Sequence, residues 1–221
     1  MDGSGHFFGP LCAQRAARWE ALVTAYPSDG PGDYAALTDF VRTQLPVDRP
    51  YFLLGESFSG PVAIALAAER PPMLRGLILS CTFARNPAPS MRVLQPLVRF
   101  APLSHHWSAL AAPFLLGWRA PAALRATLRA ALATASTAAL RQRLHAVLWV
   151  DHSPLARRIA VPVLYLQAAQ DRVVFPGSAR HLASLLPDMT TVVLPGPHLL
   201  LQRTPGPAAE AIASFMEAHR E

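Results

Sequence analysis

Short apolar runs alternate with helical segments along most of this chain, and that alternation limits the architectures open to it. "RPYFLLG" (49–55), "LRGLILSCTF" (74–83) and "VPVLYLQAA" (161–169) are continuous apolar runs of strand length, and "TTVVLPG" (190–196) follows them. Unbroken apolarity marks strands covered on both faces, the usual state of parallel strands. Helical spacing fills the gaps, from Phe7 to Trp19, Tyr34 to Leu45, Phe58 to Arg70, Gly177 to Leu186 and Pro207 to His219. "ALVTAYP" (21–27) reads as one further short strand, stopped by proline. The alternation breaks between 86 and 150, where proline-punctuated helical segments run without a strand. The expected fold class is therefore α/β: a mostly parallel sheet with helices on both faces and a helical insertion between late strands.

Composition removes several function classes. With 221 residues, 52% of them apolar, the chain can bury one α/β core. A net charge of +6 invites a nucleic-acid reading, but all 20 basic residues are arginine, dispersed and without aromatic-rich basic tracts. That usage fits codon bias in a GC-rich genome, and no nucleic-acid partner is expected. Cys12 and Cys81 are too few and too distant in sequence for a disulfide framework or a metal knuckle, and read as small buried hydrophobes. No signal peptide is visible, and no apolar stretch is both long and clean enough to span a bilayer, so the expected location is cytoplasmic. No feature of the sequence speaks to oligomeric state.

A parallel α/β sheet gathers ligands beyond the carboxyl ends of its strands, which makes strand-end residues the candidates for chemistry. Ser57 follows the run 50–54 in "LLGESFSGPVA" and opens a helix, with Gly55 and the pair Ser59-Gly60 as small neighbours for a tight turn. The pattern departs from G-x-S-x-G: its fifth place holds Ser59, and glycine comes one later. The turn would expose the Ser57 hydroxyl and leave the Phe58 N–H at the helix start, able to donate to a developing oxyanion. Asp171 follows the run 161–169 and His198 follows 190–196, whereas none of the other seven histidines follows a late strand. The chain order is thus Ser57, Asp171, His198, an order used when the serine sits on an elbow in mid-sheet. In that arrangement His198 would take the Ser57 proton, and Asp171 would hold the imidazole tautomer. Read separately, each residue also has a plainer role: a serine helix cap, a solvated loop acid and a structural histidine.

At these residues the chain resembles the α/β-hydrolase fold superfamily over nearly its whole length. "YFLLGESFSGPVAIALAAERP" resembles the elbow and its helix, "PVLYLQAAQDRVVFP" the strand and loop that supply the acid, and "GPHLLLQRTPGPAAEAIASFM" the histidine loop and last helix. The resemblance implies serine-hydrolase chemistry without metal or cofactor, on a small-molecule acyl substrate, of esterase or thioesterase type. Acyltransfer, or binding without catalysis, are the alternatives on the same fold. It also implies a division into core (1–85), helical lid (86–153) and core (154–221). "MDGSGHFFGPL" resembles the oxyanion loop, which makes the N–H of Met1 or Asp2 the second oxyanion donor. An upstream strand would normally precede that loop beside the elbow strand, so Met1 is expected to be internal to a longer gene product. The lid's Trp107, Phe114, Trp118 and Trp149 suggest an apolar pocket, or only packing of the lid on the core. The arginines of residues 86–150 (92, 99, 119, 125, 129, 141 and 143), a stretch without Asp or Glu, suggest an anionic or carrier-linked acyl substrate, or a solvated face.

Overall fold

The computed structural model describes residues 3, 5–14, 19–30, 32–90 and 107–220. Four strands, β1 (Tyr51–Glu56), β2 (Leu74–Ser80), β3 (Val163–Ala168) and β4 (Met189–Leu194), form one sheet in the order β1-β2-β3-β4. All three pairings are parallel. The four runs predicted from unbroken apolarity are these four strands. β2 and β3 lie centrally and are almost wholly buried, while β4 is an outer strand that leaves Thr190, Thr191 and Val193 exposed.

The helices are α1 (Gly9–Gln14), α2 (Tyr34–Arg42), α3 (Gly60–Ala68), α4 (Trp107–Leu116), α5 (Ala122–Thr134), α6 (Thr137–Trp149), α7 (Ser153–Ala156), α8 (Pro176–Ala183), α9 (Leu200–Arg203) and α10 (Pro205–Ala218). Successive strand residues point to opposite sheet faces, and the core divides accordingly. Leu77, Leu79, Val163 and Tyr165 pack beneath α3 and α8. Ile78, Leu164 and Leu166 face the other way, against α1, α9 and α10. Every residue of α3 is buried, as its all-apolar composition requires. α2 begins where the Asp33 carboxylate accepts the Ala36 N–H at 2.9 Å.

Two expectations need correction. Residues 21–27 form no strand: they are irregular, with Leu22 66% exposed and the Tyr26 N–H donating to the Gly3 carbonyl at 2.7 Å. Apolar propensity makes a strand only where a ladder partner lies about 4.8 Å away, and among the described residues none is beside this segment. For the same reason β1 lies at the edge of the described sheet, not in its middle. The first predicted helix starts as a 3₁₀ turn at His6–Phe8 running into α1, its expected continuation over 15–18 lies outside the described residues, and Trp19 is not helical.

Between β2 and β3 the described chain is helical, as the sequence predicts. It leaves the sheet near Arg85 and returns at Asp151, where these two residues form an antiparallel bridge that closes the neck of the excursion. Leu116, Leu128 and Ala131 of α4 and α5 pack on Phe7. α6 is tied to the 26–32 segment by Arg143, whose guanidinium donates to the Pro27 carbonyl at 2.8 Å and lies 5.7 Å from the centre of the Tyr26 ring. Among the described residues no helix is long and apolar enough to cross a membrane.

Candidate active site

The turn after β1 brings backbone closer to backbone than most side chains permit. A Cβ on Gly55 would lie 2.8 Å from the Ala63 Cβ and 2.9 Å from the Gly60 Cα, and one on Gly60 would overlap the Thr82 side chain. Those two glycines therefore let α3 close against β1 and β2, which gives the glycine at the sixth place of the motif a packing role. Ser59 fills the fifth place with more than small size. Its hydroxyl accepts the Glu56 N–H at 2.9 Å and donates to the Glu56 carbonyl at 2.8 Å. Ser57 itself takes φ 51°, a left-handed conformation that costs a non-glycine residue about 1–2 kcal/mol. The Thr82 hydroxyl holds it there by donating to the Ser57 carbonyl at 2.5 Å. Thr82 is in turn fixed by the buried Tyr165 hydroxyl, which accepts its N–H at 3.1 Å and donates to its carbonyl at 2.8 Å.

Ser57, His198 and Asp171, predicted from strand ends, meet in one hydrogen-bonded chain. The Ser57 Oγ lies 2.7 Å from His198 Nε2. His198 Nδ1 lies 2.9 Å from Asp171 Oδ2 and 3.1 Å from Oδ1. A carboxylate can only accept, so Nδ1 carries the ring proton and Nε2 is left to accept from the serine hydroxyl. Asp171 is aimed by its own loop, where Oδ1 accepts the N–H groups of Val173 at 2.8 Å and Val174 at 2.9 Å. The His198 and Asp171 side chains are 1% and 3% exposed, so their charges interact with little solvent screening.

Phe58 lies directly after Ser57, its ring buried and stacked on Tyr34 at 5.0 Å between centroids. Its N–H belongs to the first turn of a helix, where amides have no intrahelical acceptor. Met1 and Asp2 lie outside the described residues, as do His105, His106, Arg92 and Arg99.

The site opens on a mostly apolar cavity of about 1340 Å³ that runs from Ser57 and His198 along β1. Its helical wall is built of leucines, among them Leu128 and Leu132 of α5 and Leu140 and Leu144 of α6. The i, i+4 spacing puts each pair on one helix face. Of the lid aromatics, Phe114, Trp118 and Trp149 do not line it and are 48%, 70% and 52% exposed, while the Trp107 side chain lies outside what the structure describes. The arginines likewise divide. Arg119, Arg125 and Arg129 are exposed, whereas Arg143 is fully buried.

Glu56 escaped the strand-end search because it is the last residue of the strand. It is buried, and burial pushes its carboxyl up to about 7, against the opposing pull of the Gln202 hydrogen bond and the His198 charge. An acid whose folded pKa exceeds its unfolded one binds more protons when folded, so stability falls as pH rises from the unfolded value of 4.5 through about 7. The full difference is about 3 kcal/mol. Glu56→Gln is therefore expected to be more stable than wild type at pH 8 and to lose that advantage by pH 4, as urea denaturation at the two pH values would show.

Known proteins resemble this chain in sequence and in fold. The family model described as "Serine aminopeptidase, S33" matches residues 28–201. The pimeloyl-[acyl-carrier protein] methyl ester esterase of Neisseria meningitidis serogroup B is 27% identical, over 86% of this chain and 79% of that protein. The enol-lactonase of Burkholderia xenovorans LB400 superposes with a TM-score of 0.85 at 20% identity, covering 98% of this chain and 88% of that one. A hydrolase from Oleispira antarctica superposes equally well, with a TM-score of 0.85 at 14% identity and the same coverage of 98% and 88%. A parallel sheet with helices on both faces, a serine on a strained turn after a strand, and a family model spanning most of the sequence lead to one conclusion: the chain belongs to the α/β-hydrolases, in the family described as serine aminopeptidase S33.

Proposed function

We propose that this protein is a serine hydrolase that cleaves ester-like acyl substrates through Ser57, His198 and Asp171. The observation that carries the reading is the continuous hydrogen-bonded chain from the Ser57 Oγ through His198 to Asp171, opening on an apolar cavity. In the first half-reaction the Ser57 oxygen attacks the acyl carbon as its proton passes to His198 Nε2. The C–O π electrons move onto the carbonyl oxygen, which takes a hydrogen bond from the Phe58 N–H and from a second donor in the Met1–Asp2 loop. Collapse expels the alcohol, which leaves with the proton from His198 and an acyl ester on Ser57. Water then repeats the sequence, His198 taking its proton, and releases the acid and free Ser57. Asp171 keeps Nδ1 protonated and stabilises the transient imidazolium without itself taking the proton.

Helices α4 to α6 act as the lid in this reading, since their leucines wall the cavity beside Ser57. The first test is labelling with a fluorophosphonate, which reacts only with an activated serine. Labelling of the wild type and its loss in Ser57→Ala supports the hydrolase. A folded wild type that never labels rejects it in favour of a binding protein. Transfer of the acyl group to an added alcohol in preference to water would make the activity an acyltransferase. Acyl donors with an acidic carrier are favoured by the exposed Arg119, Arg125 and Arg129. Arg125→Ala with Arg129→Ala is expected to raise KM for anionic acyl esters about threefold to tenfold and to spare neutral ones. Equal effects on both would remove the anionic preference.

A further inference from the structure

Behind the Ser57–His198 contact lies a second contact that joins the same two segments. Glu56 immediately precedes Ser57 at the end of β1, and Gln202 follows His198 in α9. Gln202 Nε2 donates to Glu56 Oε2 at 2.8 Å, with the two residues 5% and 8% exposed. The bond spans 146 positions of sequence and couples the serine-bearing turn to the helix that follows the histidine.

The hydrogen-bond inventory at this place does not close if Glu56 is a carboxylate. Glu56 Oε1 and Gln202 Oε1 are both buried without a donor, and so is the Oγ of Ser80, the residue that pairs with Glu56 on β2. A buried acceptor left without a donor costs about 1–3 kcal/mol. One proton on Glu56 changes the count. A neutral carboxyl opposite a primary amide can accept the amide N–H at one oxygen and donate O–H to the amide oxygen from the other. Burial favours the same neutral form, since ionising the acid in place would strand a charge. Of the other titratable groups, His198 and Cys81 both feel the Glu56 charge.

We propose that Glu56 is a positioning residue: as a neutral acid paired with the Gln202 amide, it bolts the Ser57 turn to the His198 segment and so sets the Ser57–His198 contact. This rests on the proposed reaction at Ser57. Although Glu56 is among the residues lining the cavity, in this role it acts through the geometry of two other side chains. A buried acid that lowers stability at neutral pH has no packing reason to stand where an apolar residue would fit, whereas positioning supplies one.

The test uses the full chain, with fluorophosphonate labelling rates and with kcat and KM on a short p-nitrophenyl ester. Glu56→Ala and Gln202→Ala are each expected to slow labelling and lower kcat by about 10- to 100-fold, with KM within about twofold, because reacting groups are misplaced and binding is untouched. Glu56→Gln, a neutral isostere that still accepts and donates at the same two places, is expected to keep kcat within about threefold. The double variant Glu56→Ala/Gln202→Ala is expected to be no slower than either single one, since both act through one contact. Glu56→Ala that melts earlier yet labels at the wild-type rate would overturn the inference and leave the bond a stabilising one only. Glu56→Gln as slow as Glu56→Ala would overturn the neutral pairing, because charge would then be required. Should Glu56→Ala fail to fold, Gln202→Ala carries the same comparison. A wild type that never labels would overturn the Ser57 reading and this inference together, whereas a labelling wild type with unaffected variants overturns this inference alone.

Discussion

Replacing His198 with alanine is expected to lower kcat on an activated ester by about 10⁴- to 10⁶-fold while KM changes little. In the proposed reaction the imidazole, 2.7 Å away, accepts the Ser57 proton, and without it the hydroxyl must attack as a poor neutral nucleophile. The loss is chemical and not structural, because Asp171 keeps the Val173 and Val174 N–H groups that hold its loop. Asp171→Asn is the companion experiment. An amide at that place can donate to Nδ1, which moves the ring proton to Nε2 and turns the acceptor toward Ser57 into a donor. A loss of about 10³- to 10⁴-fold is expected, with near-wild-type melting. Retention of more than a tenth of the activity in His198→Ala would remove His198 from the reaction, and the proposed mechanism with it.

Gly60→Ala is expected to destabilise the fold by more than about 3 kcal/mol and to abolish labelling of Ser57 in whatever protein folds. A Cβ at this place would lie 2.6 Å from both the Cβ and the Cγ2 of Thr82, inside any attainable contact distance. Neither side can give way cheaply. Gly60 starts α3, which is buried along its whole length, and Thr82 is clamped through its own backbone by the Tyr165 hydroxyl. A displaced Thr82 also releases the Ser57 carbonyl, so the strained φ at Ser57 loses the bond that holds it. Chemical denaturation and the labelling rate measure the two effects separately. Wild-type values of both would show that the approach of α3 to β2 is looser than these distances require.

The arrangement of strands and the candidate site were open to sequence reasoning to different degrees. Burial of β2 and β3 on both faces demands unbroken apolar runs, and those are visible in any linear reading. Strand ends then point to Ser57, Asp171 and His198 without knowledge of any contact, because parallel sheets gather chemistry at one edge. The residues that hold these three were less visible. Thr82 lies just beyond β2 and could have been found by the same strand-end rule, and Glu56 stands as an acid at the end of an apolar run. Gln202 carries no sequence signal, since its role arises only when α9 packs beside β1. The strand expected at 21–27 failed because strand formation is a property of a pair. The outward faces of Trp118 and Trp149 failed because helical periodicity does not say which face meets the core.

By itself the sequence determined which segments are strands, and hence which three polar residues stand at their carboxyl ends. Local composition suffices for that, since it dictates what must leave water. Tertiary structure alone decided that Ser57 reaches His198, that Thr82 and Gly60 hold the turn, that Arg143 is buried and that Glu56 meets Gln202. Those are contacts between segments far apart in sequence, set by close packing and by the need of every buried polar atom for a partner.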